Sequence, residues 1–390
     1  MPYRPPKVAL LVETSGIYGR QILDGIARFL RGRHGWSIFV EQRELRATPP
    51  IWLKHQHWQG VISRVADPGL ARDFQRMGVP VVDLNDLYND LGFPRIISDN
   101  PAIGRLGAEH LRERGFRHFG FCGFAGETWS AERREGFVAA VRQMGCDYSI
   151  FESPWHGPQV PEWDHDQRNI RRWIRSCPLP VAILACNDVR GQHVLTACAA
   201  EGITVPEEVA VVGVDNEETF CALCSPPLSS IVPNPEQIGY EAATLLEKLM
   251  VGKKTAQRLI LIPPIKVVVR QSTEVLAVAD RRLVAAVRYI REHALHGCDV
   301  RDILRNGSLS RSSLEQLFRK HLGQTPRQVV RSVQLQRAKN LLAESDFPLG
   351  KIAELTGFDH PEYFSVFFKR ETGQTPGAFR RKLKDGGGRP

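Results

Sequence analysis

Over roughly the first 275 residues, short apolar runs alternate with amphipathic stretches. Lys7–Val12, Gly60–Ser63, Val79–Leu84, His118–Cys122, Val181–Ala185 and Val209–Val214 are short apolar runs, all but the Phe-containing His118–Cys122 carrying Val or Ile, that predict buried strands. Between them Gln21–Leu30, Ile103–Arg114, Ala131–Met144, Val189–Glu201 and Gln237–Met250 repeat at helical spacing; in the first, Ile22, Ile26, Phe29 and Leu30 share one face. Continuously apolar strands separated by helices predict parallel α/β sheets. In such sheets ligands bind beyond the carboxyl ends of the strands. From Asp280 onward the strand pattern stops and helical stretches follow, punctuated by Gly297, Gly307, Gly323, Pro326, Pro348, Gly357 and Gly373. The boundary falls near Gln271–Ala279. No Gly/Ser/Pro run lies there, so the connector is expected to be short. This predicts a domain over 1–275, a connector over 276–282, a helical domain over 283–384 and a disordered tail over 385–390.

Composition adds three limits. A chain of 390 residues is long enough for two or three domains. No apolar run approaches the ~18 residues of a membrane span, and Val8–Val12 is too short for a signal-peptide core, so no membrane partner and a cytoplasmic location are expected. The eight cysteines are scattered and Cys221/Cys224 has no second Cys or His pair, so neither a metal nor another cofactor is expected. Charge is uneven: residues 281–390 hold 21 Lys+Arg against 11 Asp+Glu, and the remainder 31 against 32. A basic helical domain joined to a neutral one suits a polyanion, double-stranded DNA first, although charge alone fits a solvated surface equally well.

The helical domain contains a repeat. Ser313-Leu314-Glu315-Gln316-Leu317-Phe318-Arg319-Lys320 through Gly323-Gln324-Thr325-Pro326 matches Tyr363-Phe364-Ser365-Val366-Phe367-Phe368-Lys369-Arg370 through Gly373-Gln374-Thr375-Pro376 at a constant offset of 50. A short helical pattern (Val300–Arg305 or Lys351–Thr356) and a Gly turn precede each copy. Helix, Gly turn, helix is a helix-turn-helix, whose second helix reads the major groove. Candidate reading residues are Ser310, Arg311, Ser312, Ser313 and Gln316, then His360, Glu362, Tyr363 and Ser365. Arg311 suits guanine, Gln316 adenine and Glu362 cytosine. Arg319, Lys320, Lys369 and Arg370 suit phosphates. One such unit could serve packing alone; two in tandem, in the only basic part of the chain, point to DNA.

On these residues 283–384 resemble the AraC-type DNA-binding domain, with two helix-turn-helix subdomains joined by a long helix. Pro326–Leu342, with Val330, Val333, Ala338 and Leu341, is similar to that helix. Ile352-Ala353, Gly357-Phe358, Tyr363-Phe364-Ser365 and Phe368-Lys369 match the second subdomain. The first departs at its turn, where Gly307 precedes the usual glycine position, held here by Ser308.

Residues 7–274 resemble the LacI/GalR-type sensor, whose fold implies two periplasmic-binding-protein-like lobes of parallel sheets with flanking helices. The match rests on Ser98-Asp99-Asn100 with Gly104, His110 and Leu111; Arg133 before Gly136-Phe137; Ala185-Cys186-Asn187-Asp188; Val205–Asn216; and Val268–Thr273. It implies a sugar site with Arg133, Asn187 and Asp215 as ligands. The chemistry agrees, since sugar hydroxyls both donate and accept. Arg133 supplies a fork of donors, Asp215 two acceptors, and Asn187 both. Glu13, Thr14, Tyr18, Asn85 and Asp188 are further candidates, with Trp129, Trp155 or Trp163 as a stacking face. Structural alternatives stand beside each: Asp188 as a helix N-cap, an Arg133–Asp215 ion pair, the Trp residues as core. After Ser229-Ser230-Ile231, where such sensors often place Gln, this chain has Val232-Pro233-Asn234; either Asn234 substitutes or that contact is absent.

Sensor first and AraC-type domain last is the order of the xylose operon regulators. The resemblance implies a homodimer that binds D-xylose, repositions its DNA-binding domains and, as an activator, touches RNA polymerase. A repressor, or a sensor of another pentose, a hexose or a purine, stays open. An enzyme on this scaffold is disfavoured, because no nucleophile elbow, phosphate loop or metal spacing is present.

Overall fold

The computed structural model describes residues 5–32, 35–42, 44, 52–53, 56–64, 67–88, 90–253, 255, 258–274, 280–307, 309–322 and 324–386. The chain divides into two compact units, Met1–Glu274 and Val275–Pro390.

The first unit holds two six-stranded sheets. One has the order β11(Leu259–Ile262), β5(Arg95–Ser98), β4(Val81–Asp83), β3(Gly60–Ser63), β1(Lys7–Leu11), β2(Ser37–Val40) and is parallel throughout. The other has the order β12(Lys266–Val268), β10(Ser229–Val232), β9(Val209–Val214), β8(Val181–Ala185), β6(His118–Ala125), β7(Asp147–Pro154), with only β10–β12 antiparallel. The chain passes between the lobes three times, after β5, after β10 and after β11. On the first sheet pack α1(Ile17–Leu30) and α8(Pro235–Met250) on one side and α2(Pro68–Met77) on the other. The second lobe carries α3(Asn100–Glu113), α4(Thr128–Gln143), α5(Trp163–Ser176), α6(Asp188–Ala200) and α7(Glu218–Leu223). The expected α/β class and two-lobed sensor are therefore present.

Several elements escape the hydrophobic pattern for identifiable reasons. α1 begins four residues before the pattern does, because Gly19 hides its first turn; a Cβ there would overlap the Glu13 carbonyl oxygen. β10 is short and polar, yet buried, because Ser229 Oγ donates to the Arg270 carbonyl (2.9 Å) and Ser230 Oγ to Asp188 (2.5 Å). β7 is a largely half-exposed edge strand, so it lacks the apolar run of its neighbours.

α3 and α4 cross closely enough that Cβ atoms at Gly136 and Gly104 would overlap the carbonyl oxygens of Pro101 and Arg133. Neither oxygen can move without its helix. Gly136→Ala is therefore expected to push α4 off α3, costing about 1–3 kcal/mol of stability. Ligand affinity should fall with it if Arg133, carried by α4, takes the role that the sensor-like pattern implies. Calorimetry beside denaturation of the variant checks both.

The second unit is helical among its described residues: α9(Arg281–His293), α10(Val300–Asn306), α11(Arg311–Leu322), α12(Pro326–Glu344), α13(Leu349–Leu355), α14(Pro361–Thr372) and α15(Pro376–Gly386). Leu283, Val287, Ile290, Ile303, Leu314, Phe318 and Val330 form one core. Ala338, Leu341, Leu342, Ile352, Phe364 and Phe368 form the other. α12 contributes to both, so it is the expected linking helix. Thr325 and Gln328 make a capping box at its start, with Pro326 at the first helical position. The turn difference is real: Gly357 has φ +80°, whereas Gly307 is extended at φ −116°. Ser308 and Gly323 lie outside the described residues. Two expected boundaries shift. Arg281 and Arg282 open α9 instead of belonging to the connector, whose residues 276–279 lie outside the described residues. Asp385 and Gly386 close α15 instead of opening the tail, of which 387–390 lie outside the described residues.

Candidate functional sites

In the second lobe, strand β6 delivers the chain into α4, and Arg133 sits on the second turn, 4% exposed. Its Nε donates to Asn100 Oδ1 (3.0 Å), its Nη1 to the Cys186 carbonyl (2.6 Å), and its Nη2 lies 3.7 Å from Asp215 Oδ1. The guanidinium also lies over the Trp129 ring, 4.9 Å from its centroid. Asp215 follows β9 with φ +104°, a backbone region that Asp and Asn enter more readily than most residues. Burial raises its carboxyl to about 6, against the opposing pull of the Arg133 and Arg64 guanidiniums.

Asn187, not Asp188, is the N-cap of α6: its Oδ1 accepts from Arg190 N (2.9 Å). Its amide nitrogen has no partner among the described residues. Asp188 instead ties down the loop after β9, accepting from Ser230 Oγ (2.5 Å) and from Glu217 N (3.0 Å). Burial, with the Asp215 charge second, raises its carboxyl to about 7. Asn234 caps α8 through Gln237 N (3.3 Å).

The first lobe presents its own cluster at the strand ends. Glu13, after β1, forms a buried ion pair with Arg64, after β3. Arg64 Nη2 also lies 3.1 Å from Asp86, after β4, and its guanidinium lies 4.5 Å from the Tyr18 ring centroid. Tyr18 shares a 2.8 Å hydrogen bond with Ser98 Oγ. Burial and then the Asp86 charge push its phenol far up, so it stays neutral. Asn85 Oδ1 accepts from Leu87 N (2.6 Å), which shapes the loop holding Asp86. The Thr14 carbonyl accepts from Arg20 Nη1 (2.9 Å). Thr128 Oγ1 donates to the Leu87 carbonyl (3.1 Å), a direct bond between the lobes.

These two clusters share one electrostatic neighbourhood, since Asp215 feels Arg64 and Asp86, and Tyr18 feels Arg133. Glu13 Oε2, Asp86 Oδ1 and Arg64 Nε are buried without partners among the described residues. Such orphans are costly unless a ligand or water satisfies them. Arg64 and Asp86 were not singled out from sequence, and Ser98 entered only through the Ser98-Asp99-Asn100 match. Arg64 directly follows β3 and Ser98 closes β5, and that position was the available signal; Asp86 lies three residues beyond the end of β4. Of the Trp candidates, Trp129 packs on Arg133; Trp155 stacks on Phe124 (4.6 Å, 9°); Trp163 is 48% exposed. No helix among the described residues is long and apolar enough to cross a membrane.

In the second unit, Ser310, Arg311, Ser312, Gln316, Arg319 and Lys320 are exposed, with Ser313 half-buried. Ser310 Oγ accepts from Ser313 N (3.3 Å), a cap on α11. Arg311 Nε lies 3.3 Å from Glu315 Oε1. On α14, His360, Glu362, Tyr363, Lys369 and Arg370 are exposed and Ser365 is half-buried, while Phe364, Phe367 and Phe368 face the core. Val366, absent from the sequence-derived candidates, is 67% exposed. The repeat offset places it opposite Gln316, and that equivalence was the missed signal.

Comparisons with known proteins agree with both units. A XylR N-terminal domain model matches residues 7–98, a periplasmic binding protein-like domain 108–273, and a helix-turn-helix domain 305–382. The xylose operon regulatory protein of Haemophilus influenzae is 35% identical over 384 residues, covering 96% of this chain and 98% of that protein. The one of Escherichia coli strain K12 is 31% identical, covering 96% of each. A solved structure of a xylose-binding transcription activator superposes with a TM-score of 0.80 at 29% identity, over 98% of this chain and 99% of that one. The chain therefore belongs to the family of xylose operon regulatory proteins, sugar-responsive transcription regulators with a sensor followed by a helix-turn-helix domain.

Proposed function

We propose that this chain is a D-xylose-responsive activator of sugar-catabolic genes, acting in the cytoplasm as a homodimer that also engages RNA polymerase. The observation that carries the sugar reading is the pair of facing clusters with unpartnered buried acceptors and a donor, Glu13 Oε2, Asp86 Oδ1 and Arg64 Nε. Arg133, Asn187 and Asp215 from one lobe would bind hydroxyls together with Glu13, Arg64 and Asp86 from the other, with Tyr18 beside them. Asn85, Asp188 and Thr14 would shape the loops around them. Xylose is the choice among sugars because relatives aligned along nearly the whole chain carry it in their names. A ligand held by both lobes favours the closed arrangement, and only such differential affinity can shift the DNA-binding state. Calorimetry of the full chain with D-xylose, L-arabinose, D-ribose, D-glucose and hypoxanthine tests this. Tightest binding of D-xylose is expected; no response to any pentose overturns the site.

For DNA, Arg311 reads a base edge and Arg370 a phosphate. Arg311→Ala is expected to relax sequence choice at one base pair, by about 1–3 kcal/mol. Arg370→Ala should weaken all sequences alike and lower the slope of log affinity against log salt by about 1. Binding-site selection with each variant, followed by salt titration, checks the pair; the reverse pattern would exchange their roles.

A further inference from the structure

We infer that Val366, flanked by Tyr363, reads the methyl group of a thymine in the DNA half-site under the second helix-turn-helix, so the two units of one chain recognise chemically different base pairs. The inference rests on the assignment of α14 as a reading helix. Its exposed positions Glu362, Tyr363, Val366, Lys369 and Arg370 recur at helical spacing and so form one face, opposite the buried Phe364, Phe367 and Phe368. On that face Tyr363 is 70% and Val366 67% exposed. They stand one turn apart in a basic unit whose only other strongly exposed large apolar side chain among the described residues is Phe347, at 44%. Val366 gains little from burial there and is a weaker helix former than Lys, Glu or Gln. An apolar side chain at the centre of a reading face is suited to an apolar partner. In the major groove the apolar feature of a base edge is the thymine C5 methyl. Lys369 and Arg370, one turn further on, suit the phosphates that would set the helix depth. In the first unit the equivalent positions are Ser313 and Gln316, both polar. That unit suits donor and acceptor readout, and the second suits a methyl contact.

Deoxyuridine keeps every hydrogen-bonding group of thymine and lacks only the methyl, so it isolates this contact. The full chain would first select its sequence from a random-core duplex library. The selected duplex is then resynthesised with deoxyuridine at one thymine at a time. Losing burial of one methyl is expected to weaken the wild type about three- to fourfold at one or two thymines. Val366→Ala should show a similar loss on the all-thymine duplex and indifference to deoxyuridine at those positions, whereas Val366→Ile should keep the sensitivity. If the selected duplex binds but no deoxyuridine position matters, or Val366→Ala retains the full sensitivity, the methyl contact is wrong while the DNA reading stands. A chain that enriches no sequence would overturn the DNA reading and this inference with it.

Discussion

Asp215→Asn is expected to abolish the sugar response while the protein stays folded and keeps its basal affinity for DNA. The carboxylate offers two acceptors beside Arg133, 3.7 Å away. The amide would present a donor where a sugar hydroxyl donates, and one unpaired buried polar group costs about 1–3 kcal/mol, tenfold or more in affinity. Asn tolerates the φ of +104° at this position, so backbone strain adds little. Arg133→Ala should act in the same direction by leaving acceptors without their donor. The raised carboxyl makes the prediction pH-dependent. Because Asp215 protonates near 6, wild-type sugar affinity should hold above that value and decline as pH falls through it. The wild type would then approach the Asn variant, whose own profile isolates the share due to Asp188, which protonates near 7. The effect on folding has the opposite sign. Both carboxyls hold protons more tightly folded than unfolded, so their stabilising share is full below about 4 and lost as pH rises through 6 to 7. Calorimetry of both proteins between pH 5 and 8 decides the matter; equal xylose affinity throughout would remove Asp215 from the site.

The largest effect on stability is expected at Arg190. This side chain is 0% exposed, donates to Asp166 Oδ2 (2.6 Å) and to Ser153 Oγ (2.7 Å), and lies over the rings of Phe124 (4.8 Å) and Phe151 (5.3 Å). It thereby joins α6 to α5, β6 and β7. His193, beside it, is held near 4 by burial and the Arg190 charge, so it is neutral beside the intact pair. Arg190→Ala leaves the Asp166 carboxylate buried and uncompensated, at an expected cost of about 3–5 kcal/mol. Removing both charges with apolar residues of similar volume, Arg190→Met with Asp166→Leu, should recover most of the loss, because the pair then pays no desolvation. All seven Trp lie before residue 174, so denaturation followed by Trp fluorescence reports on this unit of the full chain. A single variant as stable as the wild type would show the pair to be dispensable.

Much of this protein is local enough to be legible along the chain. Buried parallel strands announce themselves as Val- and Ile-rich runs; Gly60–Ser63, Val181–Ala185 and Val209–Val214 agree residue for residue. The 50-residue repeat, the Thr325-Pro326 helix start and the basic excess after residue 280 each depend only on neighbours in sequence, and together they identify two helix-turn-helix units. Asn187 and Asp215 were singled out because each directly follows a strand or opens a helix, and Arg133 because it precedes Gly136-Phe137 in the sensor-like pattern. What tertiary structure decided is which polar groups meet. Three passages of the chain between the lobes bring Arg64 and Asp86 into the field of Asp215, over sequence separations that no period records. The same folding assigns the cap of α6 to Asn187 because Asp188 is drawn to Ser230 and Glu217, partners 42 and 29 residues away. It buries the serines of β10 by giving them distant acceptors, and so makes a strand from residues whose composition reads as a loop. Val366 is apolar like Phe364, Phe367 and Phe368, and the packing of α14 against its core separates it from them and turns it outward. Periodicity reports which side of an element is apolar; the encounter of elements distant along the chain determines what that side touches.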